Sequence, residues 1–251
     1  MDGTDWENFI TDFSEDADLA ATTARLIADA NRLLASQSAI RNFFKVRFVA
    51  DSSDPHFGYF SNRSWRKFLL SVYYADLLSY PVAEDLVDFP RLCYILNCAP
   101  QGFTVWWAEF ADGKKLPVGY TGWYCVAESV FQQVAALQEQ ADGTIHHRFF
   151  LPANKKTAYL YLFNYSIVRE LKGTRFSSEL IKNFASEVNG MDAKGLFCAT
   201  VSEDGSRVAE GFSMKKVGAI TSEGGVPSDD IYLYRAGQVD RGEREEITVA
   251  C

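Results

Sequence analysis

The apolar positions fall into runs with two different periods. Between residues 14 and 36, Leu19, Thr23, Leu26, Ile27, Ala30, Leu33 and Leu34 recur at helical spacing, which predicts a helix with one inward stripe. Ser14 can cap it, and Glu15 and Asp16 suit its positive end. Phe43 to Val49 alternates as a strand does. Asn62 to Leu78 returns to helical spacing, with Trp65, Phe68, Leu69, Val72, Tyr73 and Leu77 on one side and Pro81 after it. Asp85 to Leu96 predicts a further helix, kinked or shortened by Pro90.

The character of the chain changes after residue 100. Thr104 to Ala111 and Leu116 to Val126 are strand-like, and Asp112-Gly113-Lys114-Lys115 between them is a hairpin signal. Gly119 and Gly122 predict a bulge or a close backbone approach. Glu128 to Gln140 reads as a helix, Asp142-Gly143 as a turn and Ile145 to Phe150 as a short strand.

Tyr159 to Ile181 is the stretch around which the rest is organised. Tyr159, Tyr161 and Phe163 alternate with Leu160 and Leu162, so this strand is apolar on both faces and expected to be central. Arg169, Lys172, Gly173, Thr174 and Arg175 come next, then the cap-type residues Ser177 and Ser178, with Phe176, Leu180 and Phe184 at helical spacing. A strand turning into a helix leaves N–H groups at the helix start, a natural seat for phosphate. Such units also occur as plain connections with a solvated basic turn. Asn189-Gly190 ends the helix, and Gly195 to Val201 is the next strand. Asp204-Gly205-Ser206 opens a helix expected to reach about Lys216, followed by an extended Val217 to Thr221. Gly224 to Pro227 reads as a loop, Ile231 to Arg235 as the last strand, and the chain from Gly237 as a charged tail.

Composition narrows the classes. The 251 residues are 47% hydrophobic and 14% aromatic, enough for a substantial core. A formal net charge of -8 argues against nucleic acid as the partner, although Lys155, Lys156, Lys172, Arg175, Lys215 and Lys216 offer a local anion site. There is no apolar run of spanning length and no signal-peptide pattern at MDGTDWENF. Five irregularly spaced cysteines read as buried thiols in a reducing compartment, so a cytoplasmic protein without membrane insertion is expected. Adjacent His146 and His147 would face opposite sides of a strand, and no metal site is expected.

Taken in order, residues 104 to 235 read as hairpin, long strand, basic glycine turn, helix, strand, helix, strand. Ile167 to Ile181, with Ile167, Glu170, Gly173, Leu180 and Ile181 in register, resembles the V-x-P-E-Y-R-G-x-G-x-G-x-x-L-L stretch of the GNAT superfamily of acyl-CoA-dependent N-acyltransferases. Lys172 stands where that family has Arg or Gln, Arg175 where it has Gly, and Ser177 where it has Gly or Ala. The segment Ser206 to Gly218, containing Phe212-Ser213-Met214-Lys215, is similar to the family's helix and F-Y-x-K-x-G ending, with one residue more.

The resemblance implies an α+β fold: a mixed, mostly antiparallel central sheet flanked by helices on both faces. Residues 41–236 would form the acyltransferase domain, 1–40 an N-terminal helical extension and 237–251 the tail. It also implies acyl transfer from acetyl-CoA or a longer acyl-CoA to an amine by direct attack. The acceptor would be a small molecule or a protein lysine, and a homodimer is open. The cofactor-binding residues would be Ser166, Ile167, Val168, Lys172, Gly173, Thr174, Arg175, Phe176 and Ser177. Arg175 must then point away from the ligand or hold a phosphate oxygen.

Candidates for the chemistry come from the same likeness. Glu109, a carboxylate within an apolar strand, reads as an outward-facing residue or as a base with a raised pKa. Asn164, a polar residue in the central strand, either orients substrate or serves the backbone. Ser213 falls where the family places a Tyr acid, with Met214 the rival occupant and Tyr232 or Tyr234 the substitutes. Cys198 reads as core, with a nucleophile as the sharper alternative. A non-catalytic acyl-CoA-binding or protein-interaction domain on the same scaffold is the second reading.

Overall fold

The computed structural model describes residues 17–35, 39–48, 63–80, 86–87, 89–137, 150–151, 159–221 and 227–236. Helices α1 (Ala17–Leu34), α2 (Arg63–Ser79) and α3 (Phe89–Cys98) accompany strand β1 (Ile40–Val46). Strands β2 (Phe103–Phe110) and β3 (Lys115–Val126) lead to α4 (Glu128–Ala135), β4 (Phe150–Leu151) and β5 (Tyr159–Ile167). Then come α5 (Arg175–Asn189), β6 (Gly195–Thr200), α6 (Glu203–Gly211), β7 (Lys215–Thr221) and β8 (Pro227–Arg235). The strand order is β1-β2-β3-β5-β6-β8-β7, with β4 paired to β3. β5 runs parallel to β6, whereas the ladders of β1 with β2, β3 with β4, β6 with β8 and β7 with β8 are antiparallel. This is the mixed, mostly antiparallel sheet that the resemblance implied.

The chain forms two compact units, Met1–Tyr120 with Ser166–Lys172, and Thr121–Tyr165 with Gly173–Cys251. In the first, β1 pairs antiparallel with β2 from Val46↔Val105 to Ile40↔Phe110. The β2–β3 hairpin is closed by the Phe110 N–H on the Lys114 carbonyl and the Gly113 N–H on the Phe110 carbonyl, both at 2.9 Å. Gly113 sits at φ 81°, a left-handed value that side-chain-bearing residues avoid. Lys114 also reaches back to Asp29 of α1 at 2.8 Å. That ammonium first, then Arg32, holds the Asp29 carboxyl below its usual range. The inward side of α2 carries Trp65, Phe68, Leu69, Val72 and Ala75, whereas Tyr73 and Leu77 of the expected stripe are half-buried. Ile27 of the α1 stripe is exposed. Pro90 is the second residue of α3, where no N–H is needed, so the helix starts late instead of kinking.

A carboxylate breaks the apolar side of α2. Asp76 is 1% exposed. It accepts the Tyr120 hydroxyl at 2.7 Å and the Val87 N–H at 3.2 Å. Both carboxyl oxygens are thereby hydrogen-bonded where solvent cannot reach them.

In the second unit, helices cover both faces of the strands. On one face Trp123, Cys125, Leu160, Leu162, Leu196, Cys198 and Tyr232 pack with Phe184, Ala185 and Val188 of α5 and Ala209 and Phe212 of α6. On the other, Phe131 of α4 lies 4.7 Å from Tyr159 and 6.0 Å from Phe197, ring to ring. Ser202 caps α6 by accepting the Gly205 N–H at 3.1 Å. Helix α6 stops at Gly211, short of the expected end near Lys216. Phe212 and Met214 turn into the core while Ser213 takes φ 57°, and β7 begins at Lys215. The remaining expectations for residues 142–149 lie outside the described residues, apart from the strand at Phe150.

Gly195 tests the packing of the aromatic face. A Cβ there would stand 2.7 Å from the Phe131 Cζ, which belongs to a fully buried ring. Gly195→Ala is expected to cost about 1–3 kcal/mol from overpacking, read as a lower denaturant midpoint at unchanged slope. An unchanged midpoint would show that Phe131 moves aside freely.

Candidate active site at the parting of two strands

The parallel ladder of β5 and β6 covers three pairs, Tyr159↔Gly195, Leu160↔Leu196 and Tyr161↔Phe197. The last is reinforced by the stacking of Tyr161 on Phe197, 4.7 Å apart and 18° from parallel. Beyond it the strands have different neighbours. β6 continues on β8 through Cys198↔Tyr232, Ala199↔Ile231 and Thr200↔Asp230. On β5, Leu160 and Leu162 belong to the core and Tyr165 packs on the same cluster. Among the described residues the β5–β6 register ends at Tyr161↔Phe197, and no β5 residue is paired with Cys198 to Thr200 of β6.

Past the end of β5 the chain makes a short 3-10 turn, Arg169–Leu171, and then reaches Lys172 and Gly173. Gly173 has φ 71°, and a Cβ there would meet nothing within 4 Å. The helix α5 starts at Arg175 with Thr174 as its N-cap, upstream of the expected caps Ser177 and Ser178. Thr174 makes no side-chain cap bond, and Ser177 Oγ donates instead to the Thr174 carbonyl at 2.7 Å. The first helical acceptor is used by Ser178, whose N–H reaches the Thr174 carbonyl at 3.3 Å. Arg175 and Ser177 precede it, so their N–H groups have no acceptor within the helix.

Arg175 points away from this turn. Its side chain is 92% exposed and its Nε donates to Glu179 Oε1 at 3.1 Å, one helical turn on. Lys216 is paired with Asp230 at 2.6 Å, and its strand β7 stands three places from β5 in the sheet, roughly 14 Å at the usual strand spacing. Lys155 and Lys156, like His146 and His147, lie outside the described residues. Among the described residues no group of three or more His, Cys, Asp and Glu is arranged to hold a metal ion. No helix among them is long and apolar enough to cross a membrane.

The other candidates are spread along the chain. Ser166, Ile167 and Val168 are buried, and the Val168 N–H donates to the Val118 carbonyl at 2.9 Å. Glu109 on β2 is partly exposed with the Lys115 ammonium 3.6 Å away. Asn164 is half-buried on β5. Ser213 is exposed in the turn after α6, while Met214 is buried with its sulfur 3.6 Å from Cys198 Sγ. Tyr232 is buried in the same cluster and Tyr234 packs against it.

Two features escape a reading of the sequence. An open cleft of about 450 Å³ lies where β6 gives way to α6, lined by Thr200, Ser202, Glu203, Ser206, Arg207 and Asp230 among others. The other is the Asp76–Tyr120 bond. A charged residue on the buried side of α2 is its only signal.

No family model matches the chain, and no curated protein matches it. Solved structures do resemble it. The GphF GNAT-like decarboxylase in complex with isobutyryl-CoA is similar over 78% of this chain and 99% of its own, at 13% identity and a TM-score of 0.48. The loading GNATL domain of CurA from Lyngbya majuscula is similar over 78% and 98%, at 10% identity and 0.47. The NatC complex bound to Gag peptide and CoA gives 78% and 99%, 10% identity and 0.46. Likeness at this level bears on no activity.

Cys198 can be tested as a nucleophile. Burial pushes its thiol up to about 12, so the reactive thiolate is about one part in ten thousand at pH 8. Iodoacetamide at pH 8 should leave Cys198 unlabelled in the folded protein and label it after denaturation, read by peptide mass mapping. Rapid labelling of the folded chain would restore the nucleophile.

Proposed function

We propose that the chain binds acyl-CoA and transfers its acyl group to an amine by direct attack, most simply as an N-acetyltransferase. The observation that carries this reading is the early end of the β5–β6 ladder, upstream of the Gly173 turn and the start of α5. An extended arm with alternating amide groups fits an uncovered strand edge, because it completes the ladder as an added strand would. The first-turn N–H groups of α5 and the Lys172 ammonium suit a pyrophosphate. Gly173 leaves open space where a side chain would otherwise stand, so the backbone can be approached closely.

The transfer itself asks little more. The amine lone pair attacks the thioester carbonyl, the C–N bond forms, and the C–S bond breaks with its electron pair leaving on sulfur. Val168 spends its N–H on β3, so strand alternation turns the Ile167 N–H to the opposite edge, where it can face the developing oxyanion. Glu109 is our candidate to take the amine proton and Asn164 to orient substrate or water. For the proton gained by the thiolate, Ser213 stands exposed and is a poor acid.

That weak proton donor favours a second reading, an acyl-CoA-binding domain without turnover. Two measurements separate them. Acetyl-CoA at a hundred times its Kd should stabilise the fold by about 2.7 kcal/mol, and a mixture of small amines or a lysine peptide should then release free thiol. Stabilisation without thiol release supports the binding domain. Gly173→Val, whose side chain resists φ 71° and fills the approach to the turn, should lose most of the ligand-induced shift. An absence of any shift in the wild-type protein would overturn both readings.

A further inference from the structure

A buried hydroxyl stands at the end of β5 with no account among the described residues. Ser166 is 4% exposed, and its Oγ has no hydrogen-bond partner among them. Such a group destabilises the folded state relative to a satisfied one. A valine or alanine would fill the position without that cost. Thr104 Oγ1 is in the same condition, but it sits on β2, which has a strand on either side. The place of Ser166 is different. It directly precedes Ile167, and its Oγ stands only a few covalent bonds from the Ile167 nitrogen, roughly 3–4 Å through space. The Ile167 N–H faces the edge opposite to β3, as the Val168–Val118 bond requires.

Two donors on adjacent residues can serve one carbonyl oxygen, which has two lone pairs. We infer that Ser166 is a second, side-chain donor for the thioester carbonyl of the acyl donor, acting beside the Ile167 N–H. This rests on the acyl-CoA reading above and deepens it. The hydroxyl rotates freely, so it can follow the oxygen as the carbonyl becomes tetrahedral and its negative charge develops. It contributes to the acylated ligand and not to CoA alone, whose thiol offers no carbonyl there.

The test is Ser166→Ala, with Ser166→Thr as the variant that keeps the hydroxyl. Calorimetric titration with CoA and with acetyl-CoA is run on each, alongside thermal unfolding without ligand. In the alanine variant the unliganded midpoint should hold or rise and the CoA Kd should stay within about twofold. Acetyl-CoA binding should weaken about tenfold, with thiol release falling at least as far. The threonine variant should recover most of both losses. Equal acetyl-CoA affinity in wild type and alanine variant would overturn the assignment, because the hydroxyl would then serve a buried water. A lowered unliganded midpoint would overturn it too, by revealing a structural partner. Wild-type protein that binds neither compound would instead remove the acyl-CoA reading itself.

Discussion

The parting of β5 from β6 after Tyr161 and Phe197 is the constraint on which the candidate site depends. Two parallel strands held on both sides by aromatic and aliphatic layers would ordinarily stay paired to their ends. Here the layers pull differently. Phe197, Tyr161 and Phe131 clamp the paired part on one face. Past the clamp, β6 is held by its antiparallel partner β8, whereas Tyr165 of β5 packs against the core cluster that holds Leu162. The β6 edge then loses its parallel neighbour, and backbone left in that state is costly unless something completes the ladder.

The same logic extends to the turn beyond β5. A helix start without a side-chain cap, a left-handed glycine and a buried hydroxyl without a partner are each small departures from the most stable arrangement. Several other polar groups of the fold are met from within it, although Asn97 Oδ1, Thr104 Oγ1 and Trp107 Nε1 are not among them. Asp76 has Tyr120 and Val87, Ser202 caps α6, and Trp123 Nε1 donates to Glu187 at 2.9 Å. These three departures fall within one short stretch of the chain, residues 166 to 177.

Much of the architecture is legible in the order of residues. Alternating Tyr and Leu from residue 159 identifies the central strand, and Asp112-Gly113 identifies the hairpin, because period and turn chemistry act locally. Ends set by tertiary packing are not legible. The spacing of Phe212, Met214 and Lys215 extends the expected α6 beyond its true end at Gly211, while the core draws Phe212 and Met214 inward and leaves Ser213 left-handed. At α5, two serines outweigh the threonine that actually stands at the cap position. Arg175 can face either way in the sequence, and in the structure its exposed guanidinium is paired with the Glu179 carboxylate one turn ahead. The Ser166 hydroxyl becomes informative only once its neighbours are known, since an unmet hydrogen bond has no sequence signature.

Amide hydrogen exchange with and without CoA measures this constraint most directly. If the uncovered edge and the turn at Gly173 receive the ligand, CoA should slow exchange at residues 166–168 and 173–178 and on the β6 edge at 198–200, while the β1–β2 ladder keeps its rate. Unchanged exchange in those three segments, or protection confined to the cleft at Ser202 and Glu203, would contradict the account.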